Sequence, residues 1–133
     1  MLWVVSYLLI GKYGFSDTLF PPQPSADGTY TYPNDFYDPP FICAPIPKHG
    51  NTLAIQLVID AMKLQPCLPR FLKARDAILQ ADMWLTGLKN RCDIWDGFAS
   101  RGLGVNAQEL ADGRRIDGYK LPSDCPQPKK VGA

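Results

Sequence analysis

Side chains for acid–base and metal chemistry are scarce in this 133-residue sequence, which has one histidine, His49, and one glutamate, Glu109. A metal centre built from those two and cysteines would need unrelated loops to converge. His49, in a Pro-Lys-His-Gly turn, is therefore read as a surface turn residue. Excess charge is lacking as well. Fourteen Lys and Arg against thirteen Asp and Glu leave no electrostatic footprint for nucleic acid or an anionic membrane. The tight basic pairs Arg114-Arg115 and Lys129-Lys130 are read as solvated loop and tail charges. No C-x-x-C occurs, which speaks against a zinc knuckle or a thioredoxin-type site. The apolar start, MLWVVSYLLI from Met1 to Ile10, is far too short to span a bilayer. It also lacks the positive n-region and small-residue cleavage site of a signal peptide. No internal repeat is visible.

What is present divides into one domain with three regions. Residues 1 to 50 read as a helix stub followed by an ordered Pro- and aromatic-rich loop. Trp3, Tyr7 and Ile10 recur at helical spacing, and ten nearly unbroken apolar residues need something to pack on. Eight of the thirteen prolines fall between residues 15 and 50, where they block helix interiors and central strands. Phe15, Phe20, Tyr30, Tyr32, Phe36, Tyr37 and Phe41 make that region too aromatic for a disordered linker, so it is expected to lie over a partner surface.

Residues 51 to 107 read as a three-helix core. The first helix spans about Asn51 to Leu64, capped by Asn51 or Thr52 and stopped by Pro66. Leu53, Leu57 and Leu64 line one face. The second spans about Pro69 to Leu85, with Pro69 at the first helical position and an inward stripe of Phe71, Ala74, Ile78, Ala81 and Leu85. Lys73, Arg75, Asp76, Gln80 and Asp82 fall mostly off that stripe. The third spans about Arg91 to Arg101. Asn90 and Asp93 resemble a capping box, and Ile94, Trp95, Phe98 and Ala99 face inward. Gly102 can adopt the left-handed conformation that closes the helix, with Leu103 returning onto Phe98. Trp84, Trp95 and Phe98 are read as core. Residues 108 to 133 read as an extended tail. The fold class is mainly α, a small helical bundle.

Four widely spaced cysteines, Cys43, Cys67, Cys92 and Cys125, fit structural disulfides of a secreted protein better than a metal site; four free buried thiols in a cytosolic protein are the other reading of the composition. Three pairings are open. Cys67 and Cys92 sit at opposite ends of a predicted helix, about 25 Å apart, whereas a bridge needs Cα atoms within about 7 Å. Cys92 or Cys67 meeting Cys43 or Cys125 is preferred. Cys67 precedes a helix N-terminus, which favours a thiolate, but it is read as a disulfide or buried thiol. Asp76 and Asp82 lie about 120° apart around a helix and form no acid/base pair. Asp60, Asp93 and Asp96 are read as solvated or capping charges.

Longer stretches carry a family resemblance. Gly50 to Asp82, GNTLAIQLVIDAMKLQPCLPRFLKARDAILQAD, and Asn90 to Ala107, NRCDIWDGFASRGLGVNA, are similar to segments of the fungalysin family of secreted zinc metalloendopeptidases. Gly14 to Thr29 and Pro47 to Asn51 resemble the family's upstream loop, and MLWVV resembles the tail of the helix before it. The resemblance covers about residues 1 to 125 and concerns the C-terminal portion of the family only. The order of helices also resembles the C-terminal lobe of thermolysin-type peptidases, which walls the substrate cleft.

The resemblance implies a helical lobe, an extracellular parent enzyme, zinc as its cofactor and protein as its substrate. In such enzymes H-E-x-x-H supplies two zinc ligands and the general base for a zinc-bound water. A third ligand, a Glu, comes from a later helix, and a further His holds the oxyanion. One histidine and one glutamate cannot supply this set, and the oxyanion-holding His would fall upstream of Met1. The chain is thus expected to hold no catalytic, cofactor-binding or metal residue and to be inactive alone. Its implied partner is the missing zinc-bearing catalytic half, with no nucleic acid and no membrane. The alternative is a stand-alone helical binding or inhibitory module derived from the peptidase. A small disulfide-stapled protein of unrelated function is a third reading, opposed by the long motif match.

Overall fold

A computed structural model describes residues 1–19, 25–29, 36–38, 41 and 44–127. Among them, four helices and two short antiparallel strand pairs form a mainly α, small helical bundle: α1 (Leu2–Tyr13), β1 (Tyr37–Asp38), β2 (Ile46–Pro47), α2 (Gly50–Leu64), α3 (Phe71–Thr86), α4 (Arg91–Ala99), β3 (Gln108–Glu109) and β4 (Arg115–Ile116). Cys43, much of the Pro-rich loop (including Phe20, Tyr30 and Tyr32) and Lys129-Lys130 lie outside the described residues.

The first helix, α1, packs against both α2 and α4, and α2 packs against α3. Glycines set how closely α1 approaches. A Cβ on Gly50 would lie 2.2 Å from the Leu9 carbonyl carbon, and one on Gly97 would lie 2.6 Å from Val5 Cγ2. Both contacts are closer than side-chain carbon permits, so α1 lies against its neighbours nearly backbone to backbone. Val5 and Leu9, one turn apart, are the residues of α1 that are buried. The expected spacing of Trp3 and Tyr7 marks the opposite side: Trp3 is 75% exposed and Tyr7 67%. In a segment apolar on every side, periodicity names no inward face, and here the facing glycines choose it.

The core joins Val5, Leu9, Leu53, Leu57, Ala61, Ile78, Leu85, Ile94, Phe98 and Leu103. Leu53 and Leu57 are the buried stripe of α2. Its start is not capped as expected. The N-cap position is His49 with no side-chain cap bond. Thr52 Oγ1 instead donates back to the His49 carbonyl. Asn51 faces the loop, accepting from Ser16 N–H (3.0 Å) and donating to Ser16 O (2.8 Å). The first helical residue of α3 is Phe71, two positions after Pro69, with Arg70 at the N-cap. Phe71 is exposed, while Ile78, Ala81 and Leu85 are buried as the stripe requires. Gly87 closes α3 with φ 70°.

At α4, Ile94, Trp95, Phe98 and Ala99 face inward. Neither Asn90 nor Asp93 makes the expected capping bond, because both side chains serve other helices. Gly102 has φ 81°, and Leu103 N–H donates to Phe98 O at 3.0 Å, the closure expected of a left-handed cap. Trp84 departs from the core reading, being exposed on α3. Beyond α4 the chain does not simply extend. A parallel bridge joins Leu103 to Gly118, the β3–β4 pair forms a hairpin, and Leu121 packs against Trp95 and Ala99. Cys92 bonds Cys125 across 33 residues.

Candidate functional site

The chemistry-bearing residues are dispersed. His49 sits half-buried at the start of α2, and its Nδ1 has no hydrogen-bond partner among the described residues. It is therefore not the surface residue the turn suggested. Glu109 lies on β3, in the tail hairpin. Among the described residues, no three His, Cys, Asp or Glu side chains gather as metal ligands would. Among the described residues the donors do not fit a zinc centre. The lone imidazole stands at a helix N-terminus, whose partial positive charge repels a cation. Cys67, expected in a disulfide or buried, is exposed in the α2–α3 connection and unbonded among the described residues.

Two charged residues assigned off the α3 stripe are buried: Asp82 is 0% exposed and Arg75 8%. Their stems lie inward because polar partners wait there. Asp82 Oδ1 accepts from Thr86 Oγ1 (2.6 Å) and Asn90 Nδ2 (2.9 Å), while Oδ2 accepts from Asn90 N–H (3.1 Å). Asn90 Oδ1 in turn accepts from Tyr13 O–H at 2.6 Å and Lys12 Nζ at 3.3 Å. Lys12 Nζ also meets Asp93 Oδ2 at 2.8 Å. Burial alone would lower the Lys12 pKa, but the bond to Asp93 and its negative charge outweigh that and raise it. This network ties the ends of α1 and α3 to the start of α4. Every group in it is satisfied from within, which marks a structural joint rather than a poised acid or base.

Arg75 holds the turn after α4. Its Nη1 donates to Leu103 O and Gly104 O, both at 3.0 Å, and its guanidinium lies 4.6 Å from the Trp95 ring centroid. Asp76 takes the outer edge, accepting from Nε and Nη2.

Among the described residues, one feature open to a partner is apolar. A groove of about 540 Å³ runs between the first residues of α1, the last turns of α2 and the first turns of α3. Trp3, Met62 and Phe71 stand exposed along its rim, and Ile78, Phe98 and Leu103 form its floor. Gln65 is its single polar lining residue.

Comparison with known proteins assigns the chain. The model of the fungalysin metallopeptidase family (M36) matches residues 1–107. The extracellular metalloproteinase NpIII of Aspergillus oryzae is 53% identical over 129 residues, 97% of this chain and 17% of the relative. The extracellular metalloproteinase mep of Aspergillus flavus is 44% identical over the same share of each chain. The extracellular metalloproteinase MEP of Pyricularia oryzae is 38% identical over 123 residues, 92% of this chain and 16% of the relative. The chain thus spans about a sixth of the length of these relatives. The family-model match and these identities agree with the motifs, and the chain belongs to the fungalysin metallopeptidase family.

Proposed function

We propose that this chain is the C-terminal helical lobe of a secreted zinc-dependent metalloendopeptidase and is inactive alone. In the whole enzyme, on this reading, a zinc-activated water hydrolyses peptide bonds of protein substrates, and both metal and ligands lie in a catalytic half that this sequence does not contain. The extracellular setting of the relatives, named as such, supports an extracellular parent. The observation that carries the reading is a match over 97% of the chain that amounts to 17% of the relative. The buried charges of the lobe support it further, since each is used to hold helices together.

The test is to purify the chain alone, measure bound zinc by elemental analysis and assay casein hydrolysis. The expected result is no stoichiometric zinc and no cleavage above a buffer blank. Stoichiometric zinc together with casein cleavage would overturn the reading.

A further inference from the structure

The proposed lobe leaves open which surface meets the catalytic half. We propose that the groove between α1, α2 and α3 is that surface, and that it receives apolar side chains of the polypeptide preceding this segment in the whole enzyme. The inference rests on the reading of the chain as a C-terminal lobe.

Three observations point to this occupant. First, the groove is concave and apolar, with Gln65 its single polar lining residue, so a charged or strongly hydrated ligand would lose its water there without compensation. Second, its rim carries Trp3, Met62 and Phe71 at 75%, 67% and 59% exposure. Large side chains clustered around an apolar hollow mark an interaction site rather than ordinary surface. Third, the first residues of α1 are themselves a wall of the groove. On the lobe reading, chain that precedes this segment in relatives about six times longer enters at that wall. Covalent attachment holds it at high effective concentration beside the groove. A separate protein or a second copy has no such advantage.

The experiment uses an intact relative. The matched 129-residue stretch of A. oryzae NpIII is replaced by the corresponding stretch of this chain, and secreted casein-hydrolysing activity is measured. Met62→Lys and Phe71→Lys are then placed in the chimera and, separately, in the isolated chain. Tyr119→Lys, at an exposed tail position, is the control. A buried unpaired ammonium at an interface is expected to lower secreted activity of the two groove variants by about tenfold or more. Met62→Lys should leave the thermal midpoint of the isolated chain unchanged, Phe71→Lys should lower it only slightly through loss of the Arg115 contact with its ring, and Tyr119→Lys should leave chimera activity unchanged. If the chimera is active and the groove variants match it, the groove assignment is overturned while the lobe reading stands. If those variants instead dissociate a dimer of the isolated chain and spare the chimera, the occupant is a second copy and the proposal fails. If the unsubstituted chimera is neither secreted nor active while NpIII is, the lobe reading itself fails and takes the groove with it.

Discussion

Two glycines and two buried charges decide more of this molecule than their size suggests. Gly50→Ala places a carbon 2.2 Å from the α1 backbone, which cannot yield as a side chain would. It is expected to cost about 3 kcal/mol, read as a fall in the urea midpoint. Gly11, also helical, has nothing within 4 Å of an added Cβ. Gly11→Ala should raise stability by about 0.5–1 kcal/mol, and a fall on that substitution would contradict the described packing. Asp82→Ala removes the acceptor of two donors of buried Asn90 and of Thr86. A loss of about 3 kcal/mol is expected, and Asp82→Asn should recover part of it. The sequence placed Asp82 and Arg75 off the helix stripe because a 3.6-residue period grades positions by hydrophobicity. It carries no sign that Asn90 or the carbonyls of Leu103 and Gly104 would turn polar positions into interior ones. The asparagine at the start of α4 was the available signal, but it read as a cap.

At the scale of elements, the three consecutive helices were legible to within a few residues, since Pro66, Gly87 and Gly102 punctuate them chemically. Their starts were less so. His49, Arg70 and Asn90 occupy the N-cap positions without capping bonds from their side chains, so the expected cap residues found other work. The orientation of α1 was not legible, because uniform hydrophobicity hides its face. The α2–α3 connection holds a strained position. Leu68 has φ 54° and its side chain is 94% exposed, so it occupies left-handed backbone without visible packing gain. Leu68→Asn is expected to stabilise by about 1 kcal/mol, as a higher midpoint in thermal unfolding. The α1–α4 tie has a pH signature. The Lys12 pKa is raised above 10.5, so its contribution to stability is complete below that value and is lost as pH rises through the folded-state pKa. The Lys12 side chain is 38% exposed, so solvent screening limits the effect to less than about 1 kcal/mol. The stability difference between wild type and Lys12→Met should therefore be present at neutral pH and shrink in strongly alkaline buffer.

At the scale of the whole molecule, the tail is part of the fold. The disulfide closes 33 residues of separation, and Arg91 pairs with Asp124 beside it. That pairing holds the Asp124 carboxyl below the usual carboxylate range. In the chain-entropy account, Cys125→Ser should cost about 3–4 kcal/mol, seen as a lower urea midpoint that reductant does not lower further. The sequence left three pairings open, and geometry alone disfavoured the bridge between Cys67 and Cys92. That Cys92 meets Cys125 depends on the tail folding back through Gly118 and Leu121, which no local pattern announces. The absence of a zinc motif was plain from composition, whereas the groove was invisible. It is assembled from residues of α1, α2, α3 and the α4 closure that are far apart in the chain.

The seat of α1 also governs the order of assembly. Val5 rests against Gly97 and Leu9 against Gly50, so within this segment α1 has one of its two seats once α2 is made and lacks the other until α4 is made. During synthesis of α3 the Val5 side of α1 still lacks the glycine that it packs on, while the Leu9 side can already rest on α2. Completing the seat of α1 thus depends on a contact between residues 5 and 97, the long sequence separation that slows folding.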